Sequence, residues 1–336
     1  MSSVTEAAIE DRINASFAPL LARPDLGGLA GSHILATGCT GFVGAWLWRA
    51  VARLNARRAD IRVTAISRDP AAFLRRHPVL ANQRWLSVLR TPPPSIDTTA
   101  RPDFVIIGAA PARPEDQGGP DRIIADQIAA SRELLALASR SGSRRILCLS
   151  SGAVLTRHAN PRLPDHSLDA YACGKRAMEL MAEHSTGNGG PPVIIARLFS
   201  FCGPWLPAHL ALSQFLRTAV AGRRLQLSGD GSALRSYLFG ADLAIWLLVL
   251  LARTTDGGVF EIGAPHGMTL LALARRISES FGLPEPEVLG IAPPDPRPAY
   301  VPELDATLRR FDLANWTSLD DAISLQADWL AAGSDR

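Results

Sequence analysis

Residues 33–44 hold the segment that most narrows what this chain can fold into. His33-Ile34-Leu35-Ala36-Thr37 is a short apolar run of strand length, and Gly38-Cys39-Thr40-Gly41-Phe42-Val43-Gly44 follows it directly. Amphipathic periodicity then predicts a helix over about 45–57. In a strand–turn–helix of this kind each glycine has a job. Gly38 permits the tight turn, Gly41 lets the backbone approach a pyrophosphate, and Gly44 lets helix and strand pack closely. The helix N-terminus offers N–H groups and a partial positive charge to phosphate. The segment therefore predicts dinucleotide binding through Gly38, Thr40, Gly41, Phe42, Val43 and Gly44, against the plainer reading of a tight turn without ligand.

Later apolar runs read as further strands. The run 61–66 ends in Ser67-Arg68-Asp69. An acidic residue at that strand end would bind the adenosine ribose hydroxyls and favour NAD, whereas Ser67 and Arg68 can accommodate a 2′-phosphate. Asp69 stands a position or two late and precedes Pro70. The cofactor reads as NAD(P), leaning slightly to NADP; an Arg68 that merely stacks on adenine from the solvent side fits either. The run 104–107 ends at Gly108-Ala109-Ala110, where small residues either admit a cofactor ribose or simply close a strand. The run 145–149 leads into Ser150-Ser151-Gly152, and a serine at the carboxyl end of a parallel strand faces the crevice where ligands bind. Helices are expected over 123–138 and from about 170, where Tyr171 and Lys175 share one face. An ammonium beside a tyrosine favours the phenolate, which makes the pair a general acid/base. That spacing is common by chance and gains meaning only from its company.

Composition removes several classes. With 35 basic and 32 acidic residues the net charge is +3, too balanced for nucleic acid. The four cysteines, Cys39, Cys148, Cys173 and Cys202, form no Cys-x-x-Cys pair, so neither zinc nor a disulfide framework is suggested. Residues 1–10 lack a basic segment followed by an apolar one, and the apolar run 243–252 is too short to span a bilayer. A cytoplasmic protein with no membrane partner is expected. Apolar spacing over 4–21 predicts an N-terminal helix packing beside the first strand. The stretches 91–102 and 156–169 read as loops, and 284–302 as irregular strand and loop.

Gly38-x-x-Gly41-x-x-Gly44, Ser151 and Tyr171-x-x-x-Lys175 together resemble the extended short-chain dehydrogenase/reductase family, and within it the NAD-dependent epimerase/dehydratase group that modifies nucleotide sugars. Arg197-Leu198-Phe199 to Gly203-Pro204, and Gly229-Asp230-Gly231 to Arg235 and Asp242-Leu243-Ala244, are similar to that group's later segments, so the likeness runs from about residue 31 to about 280. It implies an α/β fold: a Rossmann-type doubly wound parallel sheet with a smaller C-terminal substrate-binding lobe. Residues 1–30 would be a helical extension, 31–200 the NAD(P)-binding domain and 201–336 mainly the lobe, interwoven with the first domain. It implies that Ser151 hydrogen-bonds the sugar oxygen, Tyr171 moves the hydroxyl proton, and Lys175 holds the nicotinamide ribose and lowers the tyrosine pKa. Ser151 is chosen over Ser150 because the family places a valine, here Val154, three residues after the catalytic serine. Arg235 would contact the nucleotide diphosphate or form a surface ion pair; Arg197 would be a second phosphate contact or a core-edge salt bridge. No metal is implied, and a homodimer through 123–138 and 170–184 is.

The chain also departs from the pattern. Gly152 and Ala153 stand where family dehydratases carry an acid, which argues against a 4,6-dehydratase. Val154-Leu155-Thr156 replaces Val-Tyr-Gly, and the adenine-contacting Gly-Asp is missing near Leu89-Arg90-Thr91. The expectation is a nucleotide-sugar epimerase, with a carbonyl reductase using NADPH as the alternative and a non-catalytic NAD(P)-binding protein as the third.

Overall fold

The computed structural model describes residues 4–90, 101–108, 119–155, 170–291 and 299–333. The chain forms two compact units, one of residues 20–198 and 244–262, the other of residues 1–19, 199–243 and 263–336.

The larger unit is built on seven strands: β1 (His33–Thr37), β2 (Arg62–Ser67), β3 (Leu86–Arg90), β4 (Phe104–Ile107), β5 (Arg145–Ser151), β6 (Val193–Leu198) and β7 (Gly258–Ile262). They pair in parallel in the order β7-β6-β5-β4-β1-β2-β3. Ile34 sits beside Val63 on one side and Phe104 on the other. Chain order therefore reverses between β1 and β4, and in such a sheet ligands bind beyond the carboxyl ends of the strands at that reversal. The inner strands are near-continuous apolar runs because helices cover both faces. β3 is the exposed edge; its alternation of half-buried and exposed residues gives a weak apolar signal.

Three helices position the site. α1 (Phe42–Asn55) starts three residues earlier than its periodicity suggests, because Gly41 at its N-cap lets the turn run straight into the helix. α2 (Pro120–Ser141) ends at Gly142, whose φ of 68° allows its N–H to bond back to Ala138 and Ser139. α3 (Ala170–Gly187) packs on α2 and β5 through Met178 and Ala182, which join Leu134, Leu137, Ile146 and Cys148 in one buried cluster. Each leucine, isoleucine or methionine side chain in it contributes about 1.5–3 kcal/mol by leaving water. α2 and α3 approach closely at Gly174, where a Cβ would lie 2.4 Å from Gln127 Oε1 and that side chain would have to shift.

The smaller unit contains the helices Ala211–Val220, Leu270–Ser280 and Leu319–Ala331 and three two-stranded pairs, among them Leu234–Arg235 against Met268–Thr269. The N-terminal segment differs from expectation. It forms two helices, Glu6–Ala15 and Ala18–Leu21, rather than one. The first packs on Leu319–Ala331 in this unit, and Arg12 forms an ion pair with Asp328. Asp242, with no exposure, accepts hydrogen bonds from the Thr317 backbone N–H (3.0 Å) and hydroxyl (3.3 Å). Burial pushes its carboxyl up to about 7, against those hydrogen bonds. Among the described residues no helix is long and apolar enough to cross a membrane.

Candidate active site

The turn after β1 is held by a glycine conformation and a side chain of the following helix. Gly38 adopts φ +67°, and the Cys39 carbonyl accepts a 2.7 Å hydrogen bond from the indole N–H of buried Trp48. A Cβ on Gly44 would fall 1.8 Å from that same carbonyl, so the helix can cross the turn only as glycine. A Cβ on Gly41 would meet nothing within 4 Å. Open space therefore lies at the N-cap of a helix whose first turn carries no acidic residue. Phe42 is buried, Val43 half-buried. Thr40 Oγ1 lies 3.1 Å from Ser67 Oγ, tying the turn to the end of β2. Thr37 Oγ1, buried at the end of β1, has no hydrogen-bond partner among the described residues. An open, N–H-lined turn beside an unpartnered hydroxyl suits the pyrophosphate and ribose of a dinucleotide.

At the end of β2, Ser67 is buried and also accepts the Asp69 N–H at 3.2 Å. Asp69 caps the helix Pro70–Arg76 through a 2.9 Å bond from Ala72 N–H, leaving exposed Arg68 as the cation at this strand end. Gly108 closes β4 so tightly that a Cβ would come within 2.9 Å of Leu149 Cδ1 and the Thr37 carbonyl. Ala109 and Ala110, expected beside a cofactor ribose, lie outside the described residues, as do 91–100 and 156–169.

Ser151 is the last residue of β5, and its hydroxyl accepts the Ala153 N–H at 3.2 Å. Tyr171 and Lys175 lie one turn apart at the start of α3, with the amine 5.9 Å from the phenol ring centroid. Lys175 is buried, and its Nζ donates a 2.6 Å hydrogen bond to the Leu149 carbonyl, two residues before Ser151. One lysine thus ties the helix bearing Tyr171 to the strand bearing Ser151. It is also the only lysine among the 35 basic residues of the chain. Where every other cation is arginine, this position holds the compact ammonium, whose pKa can be moved by its surroundings. Burial pulls the amine down to about 8, partly offset by Cys148, Cys39 and Glu179. Burial likewise pushes the Cys39 and Cys148 thiols up to about 12.

The two arginines expected at the substrate are placed differently. Arg197 is held in a bidentate ion pair with Glu179, at 2.9 Å from Nε and 2.8 Å from Nη2. Of its two expected roles the structure shows the salt bridge: Nε and Nη2, one edge of the guanidinium, donate to a buried carboxylate. Arg235 is half-buried, donates to the Leu234 carbonyl at 2.8 Å, and lies 5.1 Å over the Tyr300 ring. Sequence reasoning missed Glu179. Its one local signal is the spacing, one turn beyond Lys175 on the same face.

The chain matches the pattern of the NAD-dependent epimerase/dehydratase family over residues 34–263, more than half its length. It resembles a trifunctional UDP-glucose 4,6-dehydratase/UDP-4-keto-6-deoxy-D-glucose 3,5-epimerase/UDP-4-keto-L-rhamnose-reductase of Arabidopsis thaliana, with 28% identity over 53% of this chain and 26% of that protein. UDP-glucuronic acid decarboxylase 1 of the same plant is 28% identical over 51% of this chain and 42% of its own. The chain thus spans less than half the length of these curated relatives. It shares its fold with UDP-glucuronic acid 4-epimerase from Bacillus cereus, solved with UDP-glucuronic acid and NAD, at a TM-score of 0.76 and 19% identity over 89% of this chain and 98% of that one.

Proposed function

We propose a function from one premise: the chain belongs to the NAD-dependent epimerase/dehydratase family. It is a nucleotide-sugar epimerase that works through a keto intermediate at Ser151, Tyr171 and Lys175. The observation that carries this reading is Lys175, buried beside Tyr171 and bonded to the strand that ends in Ser151. Tyr171 takes the proton from the sugar hydroxyl and later returns it, while Ser151 donates a hydrogen bond to the same oxygen. The charged amine of Lys175 favours the tyrosinate and would hold the cofactor ribose. NAD(P), held at the turn 38–44, supplies reversible two-electron chemistry when bound. The solved epimerase with UDP-glucuronic acid and the UDP-sugars named in the curated relatives support a UDP-sugar as the first substrate to try. Gly152 and Ala153 beside Ser151 favour epimerisation over dehydration.

Arg68 favours a second reading, a reductase that uses NADPH on a keto-sugar or other carbonyl compound. It is exposed at the ribose end of β2, where Asp69 serves as a helix cap. One measurement separates the two. Extraction of the purified protein is expected to release tightly held nucleotide from an epimerase, whereas an empty protein that binds NADPH over NADH is the reductase. Tyr171→Phe is expected to lower turnover by about 10²–10⁴-fold with the fold intact by circular dichroism. Undiminished turnover in this variant would remove both enzyme readings and leave the non-catalytic one. The active form is a homodimer through α2 and α3, on which Ile128 and Leu180 are exposed; a monomeric mass in light scattering at micromolar concentration would refute it.

A further inference from the structure

We infer that Glu179 is a positioning residue of this site, keeping the Lys175 amine charged and the end of β5 in place against α3. The inference rests on the role proposed above for Lys175.

Glu179 lies one helical turn beyond Lys175, and its side chain has no exposure. Its carboxylate accepts four hydrogen bonds: from Ser150 Oγ (2.6 Å), Arg197 Nε (2.9 Å), Arg197 Nη2 (2.8 Å) and Arg176 Nη1 (2.8 Å). Ser150 and Arg197 are direct neighbours across β5 and β6. A single carboxylate therefore joins α3 to both strands, and Ser150 carries that link to within one residue of Ser151. A buried carboxylate persists as an anion only when so fully paired. Its own carboxyl is held below the ordinary value because the bonds from Arg197, Ser150 and Arg176 outweigh the cost of burial.

The groups that act on the Lys175 amine come from several elements. Cys39 reaches it from the turn after β1 and Cys148 from β5; Tyr171, Arg176 and Glu179 share its helix, and Arg197 faces Glu179 from β6. Cys39 and Cys148 are neutral thiols in the range where the amine titrates, since both are pushed up to about 12. Of the three groups that favour the ammonium, Glu179 is then the one that carries charge. Arg197 opposes it, by partly neutralising Glu179.

The single lysine makes a direct test possible. Protein grown on lysine labelled with ¹³C at Cε gives one lysine resonance, and its shift with pH reports the charge on Lys175 without substrate or turnover. Glu179→Gln is expected to move that titration to lower pH. Arg197→Gln is expected to move it up. Loosened packing would instead let water reach the amine and move both variants up, so opposite shifts separate charge support from mere structure. An unmoved or raised titration in Glu179→Gln overturns the inference. Should that variant fail to fold, Glu179→Asp, which withdraws the carboxylate by one methylene, is read with the same signs. In the active enzyme Glu179→Gln is expected to lower kcat first at the alkaline end, with KM little changed. Because the resonance needs no activity, an inactive protein with the expected shifts fails the proposed function alone. An active one with an unmoved titration fails this inference alone.

Discussion

Lys175 shows how much one side chain can be asked to do at the scale of a residue. Its amine bonds the Leu149 carbonyl at 2.6 Å, and the side chain is buried. Arginine is planar, larger and permanently charged, so the swap is not conservative here. Lys175→Arg is expected to cost about 10²-fold or more in kcat, checked by steady-state kinetics beside a thermal melt that shows the fold retained. Tyr171 and Lys175 could be read from the sequence because a helix brings residues four apart onto one face whatever surrounds it. Glu179 could not, since its partners Ser150 and Arg197 are 29 and 18 positions away and only the pairing of β5 with β6 sets them side by side. Arg197 was ambiguous for the same reason.

The unit of strand β1, glycine turn and helix α1 behaves as one element. Its register depends on the contact of Gly44 with the Cys39 carbonyl, which Trp48 also holds from the next helical turn. Gly44→Ala would put a methyl 1.8 Å from that oxygen. Backbone must move, so a loss of about 3 kcal/mol or more is expected, together with weakened nucleotide binding. Thermal melts with and without NAD(P) check both effects; unchanged stability would mean that the turn has slack. This element was legible because glycine spacing encodes local conformation. The partner of the N-terminal helix was not legible, because an amphipathic pattern says that a face is buried but not against what. Its partner, Leu319–Ala331, lies some three hundred positions along the chain, with Arg12 and Asp328 paired 316 apart.

For the whole molecule, the pH response of stability is expected to carry the mark of Asp242. Its folded-state carboxyl is raised to about 7, so the folded state binds a proton that the unfolded chain releases at lower pH. The group therefore adds stability at acidic pH, and that contribution is lost as pH rises through about 7. Asp242→Asn stays neutral, can still accept the Thr317 N–H, and can donate to the Thr317 hydroxyl. Urea unfolding at about pH 5 and about pH 8 is expected to show a smaller fall in stability for this variant than for the parent. Equal falls would locate the response elsewhere.

By itself the sequence determined the α/β class, the glycine turn and the Tyr171–Lys175 pair, because each rests on periodicity or on spacings within a single element. Tertiary structure decided what sequence distance hides. It set Arg197 on Glu179, put the first helix with the C-terminal unit, and turned Asp69 into a helix cap that leaves Arg68 exposed. The physical reason is the same in each case. A charged side chain takes the partner that burial brings within hydrogen-bond reach, and burial is a property of the packed sheet and its helices, not of neighbouring letters in the chain.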